Sequence, residues 1–151
     1  FHDVNGAFPT AGDNGPTACC SADVGQTDRL TWAYHILTYL EQDNVHKLLP
    51  PDVSANRNRL RVSIVPTYLC PTRRQPRLYQ GVAKCDYASN CGTNNDNGIT
   101  PKTYNGAIRL RNAMAAVTDG TSNTLMVGEG RVHLGFMEGG GGCCSDNEDA
   151  Y

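Results

Sequence analysis

The chain has 151 residues, 39% of them hydrophobic and 19% charged, and its net charge at pH 7 is −2. This length fits one domain with a real hydrophobic core. So small a net charge creates no field that would attract nucleic acid or an anionic lipid surface. The sequence has no apolar run of about 18 residues, so no segment shown is expected to span a membrane, and its start at Phe1 rather than Met indicates a processed or partial product.

The N-terminal third is predicted to be a loop followed by one long helix. Residues 1–28 are rich in Gly, Pro, Asn and Asp, which is typical of an ordered loop. The helix is predicted over residues 29–48, with Thr27 or Asp28 as its N-cap and Pro50-Pro51 ending it. Apolar residues recur along it at spacings of three and four, which predicts one buried face. That face consists of Leu30, Ala33, Tyr34, Leu37, Leu40, Val45 and Leu48, with Trp32 and Ile36 at its edges.

The rest of the chain is predicted to form a small antiparallel sheet with long loops. Leu60, Val62 and Ile64 alternate, and "TYLC" is bracketed by Pro66 and Pro71; this pattern predicts a short strand or a turn that leads to a sheet edge. Residues 81–99 are interpreted as a hairpin arm with a polar turn. Further strands are predicted near 106–110, 123–129 and 131–137, with a helical or extended "NAMAAV" between the first two. The predicted fold is therefore α+β, with a single domain over residues 1–151.

The segment "TDGTSNTLMVGEGR" is interpreted as a hairpin rather than a ligand loop. Asp119-Gly120 supplies the turn, and Ser122 and Asn123 are expected to satisfy its backbone. Leu125 and Val127 are expected to enter the sheet on one face.

No constellation of catalytic residues is apparent. His35 and His46 are eleven residues apart, which on a continuous helix separates them by roughly 16 Å, so they would share a metal only if the helix broke. Ser122 lacks the context of a nucleophile elbow, and no cysteine has an identifiable base. The basic groups "RNRLR" and "TRRQPR", residues 57–61 and 72–77, are interpreted as solvated loops. We therefore expect no enzymatic activity and no catalytic residue.

Oxygen-rich loops raise the question of a calcium site. Ca²⁺ accepts six to eight oxygen ligands in irregular geometry. The best candidate is the acidic tail "SDNED", with Asp119 as a weaker one, and ordinary Asx turns are the alternative. The candidate ligands in the tail are Asp146, Asn147, Glu148 and Asp149.

Seven cysteines in a polar, Gly-rich chain favour an oxidising, extracytoplasmic setting. Cys85 and Cys91 are six residues apart and are predicted to close a small loop. The adjacent pairs Cys19-Cys20 and Cys143-Cys144 are predicted to bridge to each other, tying the N-terminal loop to the tail. The odd count leaves one cysteine either free or bonded outside this chain.

Five ordered segments resemble the planctomycete family of prepilin-type proteins. They are "FHDVNGAFPTAG", "WAYHILTYLEQ", "VPTYLCPTRR", "DYASNCGT" and "VTDGTSNTLMVGEGR", which together extend from residue 1 to 131. Many members end in an H-x9-DG motif, whereas here Cys143-Cys144 stand ten residues past His133. The resemblance implies that Cys70 pairs with a cysteine upstream of Phe1.

The same resemblance implies a type IV pilin-like or pseudopilin-like fold whose long hydrophobic N-terminal helix lies upstream of this chain. The implied function is that of an extracytoplasmic structural subunit, at the cell surface or in the periplasm, which assembles with itself or with other pilin-like subunits. The alternative is a secreted module that binds glycan or another surface protein. Its candidate stacking residues are Tyr79, Tyr87 and Tyr104, for which ordinary sheet packing is the other interpretation.

Overall fold

The computed structural model describes residues 1–9, 30–49, 53–90, 113–131 and 138. These residues form short helices and one small sheet, so the predicted α+β class is confirmed at that level. In the described part of the chain, no helix is long and apolar enough to cross a membrane. The helices are α1 (His2–Asn5), α2 (Trp32–His35), α3 (Asp43–His46) and α4 (Val53–Arg61), with 3-10 turns at Leu37–Leu40, Pro66–Tyr68 and Met114–Ala116, and the strands are β1 (Tyr87–Ser89) and β2 (Val127–Glu129).

The prediction of one continuous helix over residues 29–48 is wrong, because the chain forms three short helical pieces there. Glu41 closes the 3-10 turn in the left-handed region, with φ 59° and ψ 26°, and the Gln42 N–H donates to the Leu37 carbonyl at 2.9 Å. This is the hydrogen bonding of a helix C-cap. A continuous helix would hold Leu30 and Leu49 about 28 Å apart. Breaking it brings both into reach of one core, in which Leu30 is 6% and Leu49 0% exposed.

The predicted buried face nevertheless identifies most of the core. Among its members, Ala33, Tyr34 and Leu37 are fully buried, and Leu40 and Leu48 pack against the cluster from its edge. Tyr68 joins the cluster from outside the predicted helix, and its hydroxyl donates to the Ala33 carbonyl. Trp32 is also buried, with its ring edge-to-face on Tyr68 at 6.0 Å between centroids. The apolar spacing therefore predicted which residues pack together, but not the path of the backbone between them.

The strand predicted at Leu60, Val62 and Ile64 is also wrong. Helix α4 continues to Arg61, which buries Leu60 and leaves Val62 47% exposed. The backbone N–H of Ala83 donates to the Arg61 carbonyl at 2.7 Å and so satisfies the last residue of α4. The "TYLC" segment forms a 3-10 turn at Pro66–Tyr68, which agrees with the turn interpretation.

Strands β1 and β2 form an antiparallel pair in which Tyr87 faces Glu129 and Ser89 faces Val127. This confirms a strand in the hairpin arm and another near 123–129. Tyr87 and Val127 pack against the helical core, so the sheet and the helices share one cluster. The strands expected near 106–110 and 131–137 lie outside the described residues, except for Arg131.

The Asp119-Gly120 turn is confirmed. Gly120 has φ 85°, the Asn123 side-chain amide donates to the Asp119 carbonyl at 3.1 Å, and the Thr124 hydroxyl donates to the Gly120 carbonyl at 3.1 Å. The expectation for Leu125 is wrong, because β2 begins at Val127 and Leu125 is 66% exposed.

The left-handed conformation of Glu41 gives a direct test of the broken helix. Glycine adopts this conformation without the steric cost of a Cβ, so Glu41→Gly should raise the free energy of unfolding by about 0.5–1 kcal/mol. Glu41→Ala keeps the Cβ and should give no such gain. Urea denaturation of both variants measures the difference. On a continuous helix the order would reverse, with the glycine variant about 1 kcal/mol less stable than the alanine variant.

Candidate functional site

Two features of the described structure bring polar side chains together: a buried ion cluster beside the sheet, and an open cleft between α1 and the segment 35–46. The ion cluster begins with the pairing of two backbone segments. The Asp86 N–H donates to the Tyr68 carbonyl, and the Cys70 N–H donates to the Asp86 carboxylate, both at 2.8 Å. The Gly130 N–H donates to the Asp86 carbonyl at 2.7 Å. Asp86 thus joins three chain segments through its own backbone and side chain.

Asp86 is 1% exposed, and two arginines compensate its charge. Arg74 Nε lies 3.0 Å from Asp86 Oδ1 in an ion pair that lacks the alignment of a hydrogen bond. Arg73 Nη1 lies 3.6 Å from the same oxygen and donates to the Gly130 carbonyl at 2.8 Å. A buried carboxylate without such partners would carry a desolvation cost of several kcal/mol. The charge of Asp86 is therefore compensated mainly by Arg74, with a further contribution from Arg73.

The interpretation of "TRRQPR" as a solvated loop is wrong for Arg74, which is 3% exposed. Its guanidinium lies 5.2 Å from the centroid of the Tyr79 ring, and that of Arg77 lies 4.5 Å from the same centroid. Arg77 is itself paired with Glu138. The group "RNRLR" is not a loop either, since it forms the second half of α4.

The tyrosines proposed for ligand stacking have different positions. Tyr79 is 3% exposed, and its hydroxyl donates to the Gln75 carbonyl at 3.0 Å. Tyr87 is half-buried and packs against the core. Tyr104 lies outside the described residues. Neither Tyr79 nor Tyr87 therefore offers an exposed ring face of the kind that the binding-module interpretation requires.

The cleft between α1 and the segment 35–46 has a volume of about 310 Å³. The ring of Phe1 packs edge-on against Tyr39 and His35, at 5.7 and 6.3 Å between centroids. Phe8 lies deeper and is 8% exposed, whereas Tyr39 is 48% exposed. The side-chain amide of Asn5 donates to the Tyr39 hydroxyl at 3.4 Å. Helix α1 and the 3-10 turn therefore form two aromatic walls of the cleft.

His35 and His46 both line this cleft, although a continuous helix would have separated them. The break at Glu41 turns α3 back, so that His46 stacks on Tyr34 at 4.8 Å and His35 packs edge-on against the same ring at 5.7 Å. The sequence carried no signal for this pairing, because it depends on one residue in the left-handed region.

The predicted metal ligands remain apart from these features. Asp119 is exposed in its turn, and Asp146, Asn147, Glu148 and Asp149 lie outside the described residues. Among the residues that the structure describes, no three His, Cys, Asp or Glu side chains form a group able to hold a metal ion. Calcium binding by the tail stays a prediction.

Both described cysteines, Cys70 and Cys85, are free thiols in the structure. Cys70 lies 3.1 Å from the Thr72 hydroxyl, and Cys85 donates to the Tyr87 carbonyl at 3.3 Å. The predicted partner of Cys85 is outside the described residues, so the proposed pairing stays a prediction, as does the pairing of Cys70 with an upstream cysteine. The same holds for the predicted bridges between the adjacent pairs, since Cys19, Cys20, Cys91, Cys143 and Cys144 all lie outside the described residues.

A family model described as "Protein of unknown function (DUF1559)" matches residues 1–148. No curated protein and no solved structure matches the chain.

The ion cluster predicts a large effect of neutralising Asp86. Asp86→Asn preserves the shape of the side chain but leaves buried guanidinium charge uncompensated, so the free energy of unfolding should fall by about 3–5 kcal/mol. The control is Glu129→Gln, which removes a 3.6 Å contact with Arg73 from a side chain that is 47% exposed. It should cost at most about 1 kcal/mol. Equal losses in chemical denaturation would show that Asp86 has no special role.

The burial of Cys85 should make the free energy of unfolding of the reduced protein depend on pH. Desolvation raises the pKa of its thiol from 9.0 to about 11, assisted by the negative charge of Asp86 and opposed by the positive charge of Arg74. The neutral thiol is retained in the folded state while the unfolded chain ionises, so the resulting stability is lost as pH rises from about 9 to about 11. Cys85→Ala should show a smaller decline over this window.

The same pKa should control the alkylation of Cys85 by iodoacetamide, followed by mass spectrometry. Because the thiolate is the nucleophile, the rate should still increase above pH 10. A plateau near pH 9 would contradict the raised pKa.

Proposed function

The chain belongs to the family described as "Protein of unknown function (DUF1559)", and we propose that it is an extracytoplasmic structural subunit of a pilin-like filament or secretion pseudopilus. In this proposal the protein acts by assembling with itself or with other pilin-like subunits. It requires no catalytic residue and no cofactor, and calcium at the acidic tail would serve only to stabilise the domain.

The observation that carries the proposal is the anchoring of α1. This helix begins directly after Phe1 and is held on the domain by the contacts of Phe1 with Tyr39 and His35 and by the bond from Asn5 to Tyr39. On the other side, the Met114 N–H donates to His2 Nε2 at 3.1 Å. A hydrophobic helix continuing α1 upstream would therefore leave the domain from a fixed position, which a subunit joined to a helical filament core needs.

Exposed apolar side chains on the segment 113–131 are available for contacts between subunits. Met114, Leu125 and Met126 are 44%, 66% and 39% exposed, and all three belong to this segment. We propose that this segment contacts a neighbouring subunit.

The binding-module alternative, as formulated with Tyr79 and Tyr87, has less support. Both side chains are used in packing within the domain, and Tyr79 is covered by two arginines. A different surface would have to carry any ligand.

Assembly is tested on the full precursor in its native cells. We expect it to form filaments that sediment at high speed and are visible by negative-stain electron microscopy. Leu125→Lys should reduce the sedimenting fraction several-fold, since it places a charge on the proposed contact. Val62→Lys is the matched control, because Val62 is 47% exposed and lies outside that segment. A precursor that remains monodisperse, with a hydrophilic segment before Phe1, would exclude the proposal.

A further inference from the structure

The cleft between α1 and the segment 35–46 has features that filament assembly does not explain. We propose that it binds the neutral ring of a sugar, a pyranose presented either as a free saccharide or as part of a polysaccharide. Three properties of the cleft lead to this ligand: its rings, its hydrogen-bonding groups and its charge. The proposal is independent of whether the protein assembles into filaments.

The first property is the arrangement of aromatic rings. Phe1 and Tyr39 meet with an angle of 62° between their planes, and Phe1 and His35 with an angle of 63°, so the walls stand at steep angles to one another. Because Tyr39 is 48% exposed, part of its ring surface remains open to a ligand. The apolar C–H face of a pyranose packs on such a ring, since aromatic side chains combine large contact area with fixed geometry. The volume of about 310 Å³ is at the small end of ligand sites, which fits one or two sugar rings.

The second property is the set of polar groups around those rings. The Tyr39 hydroxyl accepts from Asn5, which leaves its own hydrogen to donate. The side-chain nitrogen of Asn5 donates to the Tyr39 hydroxyl and to the Phe1 carbonyl, and its side-chain oxygen can accept a hydrogen bond. The Thr38 hydroxyl and the imidazole of His46 also line the cleft. Sugar hydroxyls both donate and accept, and this mixed set matches them.

The third property is charge. Within the described ranges, no Lys, Arg, Asp or Glu side chain lines the cleft. A phosphate or a carboxylate would lose its hydration there without a Lys or Arg side chain to compensate its charge, at a cost that neutral hydroxyls do not incur. The cleft should therefore prefer neutral sugars to acidic ones.

The test is a titration of the isotopically labelled 151-residue protein, with the Phe1 amine acetylated so that no terminal charge lies at the cleft, using glucose, N-acetylglucosamine and their β-1,4-linked disaccharides, followed by NMR. We expect saturable shifts at His35, Thr38, Tyr39 and His46. Glucuronic acid, which has the same ring with a carboxylate, should bind at least about tenfold more weakly. Absence of saturable shifts at these residues with every neutral sugar would overturn the proposal, and so would equal binding of the acid.

Variants connect the binding to the cleft. Tyr39→Ala should raise Kd at least about tenfold, because it removes the exposed ring, whereas Tyr39→Phe keeps the ring and should have a smaller effect. Leu125→Ala, at an exposed apolar residue of the 113–131 segment, is the control and should leave Kd unchanged. If Tyr39→Ala remained folded by circular dichroism and bound as tightly as the parent, the sugar would not occupy this cleft.

The source of the sugar is distinguished by a second measurement. Co-sedimentation with insoluble cellulose and with chitin tests polymeric presentation, and soluble disaccharides test free sugar. Binding to a polymer that is lost in Tyr39→Ala assigns the ligand to a surface polysaccharide, and binding of soluble sugars alone assigns it to free saccharide. Failure of both arms overturns the proposal and leaves the assembly experiment unaffected.

Discussion

The buried ion pair between Asp86 and Arg74 is the constraint on which much of the described structure depends. A carboxylate that is 1% exposed is tolerated only when its charge is compensated, and here the partners of Asp86 come from two segments that are far apart in the chain. Cys70 donates its backbone N–H to the carboxylate, and Arg73 and Arg74 supply positive charge. Gly130, directly after β2, donates its N–H to the backbone carbonyl of Asp86. The ion pair, together with the backbone bond from Asp86 to Tyr68, therefore holds the start of β1 beside the 68–77 segment.

Gly130 shows how closely this arrangement is packed. A Cβ at this position would come within 3.3 Å of the Asp86 carbonyl. The Gly130 N–H donates to that carbonyl, and the Gly130 carbonyl accepts from Arg73. The backbone of this one residue therefore links the end of β2 to the ion cluster. This close approach gives a physical reason for glycine at position 130.

Local sequence patterns predicted which residues are buried and where one turn lies, but not the features that depend on distant contacts. The spacing of Ala33, Tyr34 and Leu37 correctly predicted burial, because side-chain hydrophobicity is a property of the residues themselves. The turn at Asp119-Gly120 was predictable for the same reason, since glycine favours a positive φ.

The break at Glu41 was not predictable, because no residue there disfavours a helix strongly and the gain comes from distant packing. The burial of Arg74 was hidden as well, since nothing in "TRRQPR" identifies Asp86 as its partner. The cleft followed from the break, so it too was out of reach of the sequence.

The hydrogen bond between His2 and Met114 joins residues 112 positions apart in the chain. With the contacts of Phe1 on Tyr39, it holds α1 between two parts of the domain that are remote in sequence. A tension applied along α1 from its N-terminal end would therefore be divided between these two attachments. Extraction of α1 from the domain would therefore require both attachments to break.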